Sequence, residues 1–324
     1  MIGMELNPGK YVCTISAIGN VLHHQGNILK EYEVYVLSDG FRTSYCDGYV
    51  AINSLQGISE SLTNCGLFRT RWGVVDSDSL DTITSFVRNG TPVIVLIHTD
   101  GLDFDHRLSK KYGFYRSFII RDYDEQTGLL TLSDTFCIND AQEIQVIDFE
   151  VPLKWLRTIA REYLVITPGT DTSQDLGIQS LLLSNLNHYL TSTAPDSRQG
   201  AVRMHLNHLN EVFTSGSDED LLKACYYISN TIRFGTFIPM LSYLIDYVQE
   251  YEDRFNSGQL LNELKSLKME WNILSNKAIK LTVSQREGRK QEFLNRYEQL
   301  FGTSLEALQR VVSAIEEHFL TPKE

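Results

Sequence analysis

Cys13 lies six residues after Asn7, at the start of a stretch whose apolar residues recur at helical spacing. A cysteine at the head of a helix faces unpaired backbone N–H groups and the positive end of the helix dipole. Both favour the thiolate, the form that attacks a carbonyl. The Asn7 carboxamide is then expected to donate a hydrogen bond to the oxyanion that such an attack creates, beside the backbone N–H of Cys13. The plainer alternative is that Cys13 is a small buried hydrophobe on an amphipathic helix.

The elements that must hold these residues can be read from periodicity. From Cys13 to His24, Ile15, Ile18 and Leu22 fall on one helical face with Ala17 and Val21, and Gly26 is placed to end the helix. A second helix is expected near Asp78 to Asn89, with Leu80, Ile83, Phe86 and Val87 inward and Gly90 as its stop. Pro92 to Ile97 is a short apolar run suited to a central strand. Residues 117–120 and 129–133 flank Asp122 to Gly128, a turn by composition, and predict a hairpin. Strands at Glu143 to Phe149 and Glu162 to Ile166 complete an antiparallel sheet. One helix against a later sheet makes the first half α+β.

Loop formers gather from Thr167 to Asp175, so the expected division is residues 1–170 and 171–324. Helical periods follow over 176–191, 196–215, 218–231, 237–254, 260–282 and 287–301. Thr303-Ser-Leu-Glu306 has the form of a capping box and predicts a separate last helix, Ser304 to Phe319. The second half therefore reads as an all-helical bundle.

Composition narrows the function. The 324 residues fit two domains, each able to bury its own core. A formal net charge of -12 repels phosphate backbones and anionic lipid, so neither nucleic acid nor membrane is expected as a partner. Five scattered cysteines with no C-x-x-C pair indicate reduced thiols. With no basic, apolar leader and no run near the ~20 apolar residues of a membrane span, a cytoplasmic location is expected. No phosphate loop, paired metal ligands or dinucleotide fingerprint is present, so chemistry without a cofactor is implied.

Tyr11-Val-Cys13 through Asn20-x-Leu22-x-x-x-Gly26, then Ile28-Leu-Lys-Glu31 and Leu37-Ser-Asp-Gly40-Phe41, resembles the opening of the butirosin biosynthesis protein H type of acyltransferase. Gly90-x-Pro92, Asp122-Tyr-Asp124 and Ser133-Asp134 are similar to later landmarks of that family. A closer likeness is to its cysteine-protease-like, amide-forming branch in closthioamide assembly, a thiotemplated pathway without ribosomes. The resemblance implies a papain-like catalytic domain, a helical C-terminal half, and a Cys-His-Asp site. It also implies an acyl or peptidyl carrier protein as partner, with phosphopantetheine presenting the acyl chain, and a small amine or diamine as acceptor.

The chain departs from that pattern where the base should stand. The family's histidine would fall at Arg116 or Ser117, and neither can serve. Of eight histidines, His23 and His24 close the first helix, and His188, His205, His208 and His318 lie on later helices. His106, in the loop leading to the altered strand, is the preferred replacement, and His98 at the end of the 92–97 strand is the second choice. Asp134 matches the family's orienting carboxylate, with Asp103, Asp105 and Asp122 as substitutes. Arg107, Lys110 and Lys111 form a small basic cluster that either docks an acidic carrier or is solvated loop. A second basic patch, Gln285-x-x-Gly288-Arg-Lys290, reads as helix surface.

Three functions follow. The first is acyl transfer from a carrier thioester through acyl-Cys13 to an amine. The second is a cysteine peptidase or amidohydrolase with water as acceptor. The third is a papain-fold binding protein without catalysis.

Overall fold

The structure, a computed structural model, describes residues 2–46, 48–102, 113–139, 141, 143–169, 177–192, 194, 198–255, 258–281 and 287–320. In chain order the elements are α1 (Cys13–His24), α2 (Glu31–Leu37), β1 (Ser44–Cys46), β2 (Tyr49–Ala51), α3 (Leu55–Asn64), β3 (Phe68–Val74), α4 (Ser77–Arg88), β4 (Val93–His98) and a 3-10 turn (Thr99–Leu102). Then come β5 (Tyr115–Asp124), β6 (Leu129–Ile138), β7 (Ile144–Pro152), α5 (Leu153–Ile159), β8 (Ala160–Pro168), α6 (Ile178–Thr191), α7 (Arg198–Ser215), α8 (Asp218–Asn230) and a π-helical turn (Thr231–Gly235). The last are α9 (Phe237–Glu250), α10 (Glu252–Phe255), α11 (Gly258–Leu281), α12 (Glu287–Ile315) and a π-helical turn (Glu316–Leu320). The protein is α+β, and none of the helices among the described residues is long and apolar enough to cross a membrane.

The chain divides into two units: residues 1–38 with 55–176, and residues 39–54 with 177–324. The expected boundary near 170 thus gains a second feature, because residues 39–54 leave the first unit and join the second. Within that second unit the Arg198 guanidinium pairs with Asp39 at 2.7 Å, and the Arg198 N–H donates to the Thr43 carbonyl at 2.7 Å. The Val50 N–H donates to the buried Thr231 hydroxyl at 2.9 Å. Gly235 lies so close to the Val50 carbonyl that a Cβ there would overlap it.

The first unit is built on a six-stranded antiparallel sheet, ordered β3-β8-β4-β5-β6-β7. Ile15, Ala17, Ile18, Val21 and Leu22 of α1 are fully buried. Shielding each of the larger ones is worth roughly 1.5–3 kcal/mol. Gly26 adopts φ 87°, the left-handed conformation that ends a helix without a Cβ penalty. The α4 start is capped reciprocally: Asp76 accepts from the Ser79 N–H, and the Ser79 hydroxyl accepts from the Asp76 N–H, both at 2.8 Å. The hairpin strands run further than composition suggests. β5 carries through Asp122 to Asp124, whose carboxylate accepts from the Gln126 N–H and the Thr127 hydroxyl and so tightens the turn.

In the second unit every described element from Ile178 onward is helical. The expected break at Thr303 is absent, and α12 continues from Glu287 to Ile315. Thr303 and Ser304 donate their hydroxyls back to the Gln299 and Leu300 carbonyls, as in a helix interior, and the Ser304 oxygen also accepts from the Trp271 indole at 3.0 Å. Trp271 stacks on Phe237 with ring centroids 3.7 Å apart.

His205 is fully buried beside this core. One ring nitrogen, Nδ1, lies 3.2 Å from the Tyr297 hydroxyl, and Nε2 has no partner. Burial, reinforced by nearby His208, lowers its pKa to about 3. The unfolded chain, with histidine near 6.5, takes up a proton that the folded chain refuses. Stability is therefore full above pH ~6.5 and falls by about 1.4 kcal/mol for each unit below it. In urea titrations at pH 6.5 and 5.5, the parent should lose about 1 kcal/mol more stability than His205→Gln. Equal losses would show that this ring is not the proton-linked group.

Candidate active site

Cys13 is the first residue of α1. Its N-cap, Val12, is extended and offers no side-chain cap, so the first N–H groups of the helix are left without one. Two hydroxyl pairs fix this end of α1 to the sheet. Thr14 Oγ1 lies 2.8 Å from Ser117 Oγ on β5, and Ser16 Oγ donates to Thr135 Oγ1 on β6 at 2.8 Å. The β5–β6 register runs from Asp124↔Leu129 to Ile119↔Ser133, and β6 is irregular against β7 between Asp134 and Cys137. Cys13 meets β5 beyond the last of the β5–β6 pairs, near the Ser117 backbone, and its sulfur lies 4.0 Å from the Thr14 hydroxyl.

Cys13 is half-buried. Burial is the largest influence on its thiol and pushes it upward; the Arg116 guanidinium and the Ser117 N–H pull it down, and Asp134 pushes it up. The net shift is upward. The expectation that the helix head makes this sulfur a thiolate is not supported by its surroundings: desolvation outweighs the pull of Arg116, the Ser117 backbone and Thr14. Cys13 rests as a thiol at neutral pH and must give up its proton to a base in order to react.

Arg116 and Asp134 form a buried ion pair next to this sulfur, with Arg116 also donating to the Phe136 carbonyl at 2.8 Å. The second Asp134 oxygen accepts from the Phe136 N–H at 2.8 Å. Arg116, one of the two positions where the resemblance would place a histidine, thus engages the carboxylate expected to orient that histidine.

The other expected residues are placed as follows. The Asn7 backbone is clamped to Asn20, its N–H donating to Asn20 Oδ1 at 2.7 Å and its carbonyl accepting from Asn20 Nδ2 at 3.0 Å. Asn20 Nδ2 also donates to the Ser16 carbonyl at 2.9 Å, so this clamp sits about one turn from Cys13, and the Asn7 side chain is exposed. The Cys13 and Thr14 N–H groups at the helix start are further donors placed for an oxyanion. Asp122 is five residues beyond Ser117 on β5, roughly 16 Å along the strand. His106, Asp103, Asp105 and the cluster Arg107, Lys110 and Lys111 lie outside the described residues, as does Gln285. Arg289 is exposed on α12, while Lys290 donates to the Phe213 carbonyl at 3.4 Å.

His98 ends β4, opposite Tyr115, and its Nδ1 is 3.4 Å from the Asp100 carboxylate. Among the described residues no group of three or more His, Cys, Asp or Glu side chains is gathered as a metal site. A cleft of about 580 Å³ in the second unit, lined by Leu274, Lys277, Lys280, Arg289, Phe293 and Arg296, contains none of the residues that suggest acyl chemistry. Sequence reasoning missed the Thr14–Ser117 and Ser16–Thr135 pairs, because hydroxyls more than 100 positions apart carry no periodic pattern. No family model and no curated protein matches the chain.

Proposed function

We propose that this chain is a cysteine-dependent acyltransferase that forms amide bonds. Its first unit would be the papain-like catalytic domain and the helices of its second the accompanying bundle. The observation that carries the reading is a half-buried cysteine at a helix start without a side-chain cap, held against a strand by the Thr14–Ser117 hydroxyl pair. A base takes the Cys13 proton, and the sulfur attacks the carbonyl of an acyl thioester. The Cys13 and Thr14 N–H groups hold the developing oxyanion. The C–S bond to the carrier breaks, its thiolate takes the proton from the base, and acyl-Cys13 remains. An amine then attacks, the new C–N bond forms, and Cys13 leaves and regains a proton as the amine loses one. The carrier protein, its phosphopantetheine arm and the small diamine enter through the resemblance of the Cys13 segment.

The buried Arg116–Asp134 pair favours a second reading, a binding protein that keeps the fold without the chemistry. One experiment separates the two. The protein is mixed with an N-acetylcysteamine acyl thioester, with and without a short diamine, and both the intact protein and the products are weighed. Acyl transfer predicts an adduct mapped to Cys13, and amide in excess over free acid when amine is present. Free acid alone would make the protein a hydrolase, and no adduct would favour binding without catalysis.

A further inference from the structure

The described residues contain a second arrangement suited to proton transfer, which the altered Arg116 position leaves as the one at hand. Ser117 faces α1, since its hydroxyl touches Thr14. β4 and β5 pair in unbroken register, with Leu96↔Ser117 and His98↔Tyr115. Side chains alternate across a sheet, so Tyr115 and Ser117 share a face, and their partners His98 and Leu96 share it too. The ring contact between His98 and Tyr115, 4.9 Å between centroids and near perpendicular, fits that placement. His98 is thus on the α1 side of the sheet, a diagonal neighbour of Ser117, whose hydroxyl meets Thr14 beside Cys13, with His98 and Ser117 about 7–8 Å apart at Cα.

The surroundings of His98 hold its ring. Nδ1 is 3.4 Å from Asp100, which leaves Nε2 for another partner. The neck of the β4–β5 connection is closed by the Thr99 N–H donating to the Phe114 carbonyl at 3.0 Å and the Phe114 N–H donating to the Thr99 hydroxyl at 3.1 Å. That closure presses buried Gly113 against the pair, where a Cβ would overlap both the His98 ring and the Asp100 carboxylate. Two charged residues of β8 lie on this side: Arg161 is 5.3 Å from the Tyr115 ring centre, and Glu162, paired with Leu96, is 3.6 Å from Arg161 and accepts from the Trp72 indole.

We propose that His98, oriented by Asp100, is the base that takes the proton of Cys13. Asp100 acts as a positioning residue, and Gly113 is the glycine that makes room for the pair. This rests on the acyltransferase reading, because it names the proton acceptor for the same sulfur. The catalysed step moves the Sγ proton to Nε2 as the thioester is attacked, and returns it to the departing thiolate.

The test measures Cys13 acylation by an N-acetylcysteamine thioester against pH in the full chain, with Cys13 alkylation by iodoacetamide at pH 10 as a control for access. His98→Gln should slow acylation by about 100-fold or more and flatten its low-pH limb, while alkylation at pH 10 stays as in the parent. Gly113→Ala should follow His98→Gln, Asp100→Asn should lie between it and the parent, and His106→Gln should keep the parent rate. A parent-like rate and pH profile for His98→Gln would overturn the assignment, and collapse of His106→Gln alone would hand the role to His106. A parent protein that takes no acyl group would instead remove the acyltransferase reading, and this inference with it.

Discussion

Replacing Cys13 with alanine is expected to lower amide formation by about 10⁴-fold or more, because removing the nucleophile of a covalent mechanism leaves only binding and oxyanion stabilisation. The fold should survive. Cys13 is half-buried, its sulfur contributes little packing, and α1 is held by its apolar face and by the Thr14 and Ser16 hydroxyls. Thermal melting of the variant within a few degrees of the parent, beside lost product and a lost protein adduct, is the expected pair of results. Full-rate product from the variant would place the chemistry elsewhere.

The second large effect concerns stability. Arg116→Gln leaves the Asp134 carboxylate buried at 0 % exposure with its cation gone, which costs about 3–5 kcal/mol. Arg116→Gln with Asp134→Asn removes both charges and should recover most of that loss, since a neutral amide keeps hydrogen-bonding capacity without the uncompensated charge. The thiol gives an independent readout. Losing Arg116 alone removes the main charge that draws Cys13 down and leaves Asp134 pushing it up, so alkylation should shift to higher pH; losing both should shift it less. Urea unfolding of the parent and both variants decides the matter. A single variant as stable as the parent would mean that the pair does not support the fold.

How much was legible in the sequence depended on how local the cause was. The bounds of α1 follow from an apolar period and Gly26, and those of β4 from a short aliphatic run, so both were readable to within a residue. The two helices at 31–37 and 55–64 and the strand at 68–74 were not assigned, being short or weakly patterned. Thr303-Ser-Leu-Glu306 has the composition of a helix start, yet the same hydroxyls serve a helix interior equally well. What decided between them was Trp271, which meets Ser304 from another helix. At the site, Cys13 could be singled out because its position on a helix is a local property. Its electrostatics could not, because the desolvation that dominates the thiol is set by strands more than 100 residues away. Asp134 is singled out by the resemblance, but nothing in its neighbourhood in sequence shows that Arg116 claims it. Asn7 is expected near the sulfur by its spacing of six, and the carboxamide of Asn20, which holds the Asn7 backbone to α1, could not be read from that spacing.

The excursion of residues 39–54 into the second unit also bears on how the polypeptide is made. The amide of Val50 finds its acceptor on Thr231, 181 positions later, and the backbone at Gly235 is shaped to receive the same strand. On a ribosome this ribbon emerges long before its seat exists, and it must wait while the intervening stretch is synthesised. Cutting the gene at residue 176 would therefore yield two incomplete pieces, the downstream one lacking a part that no downstream codon supplies.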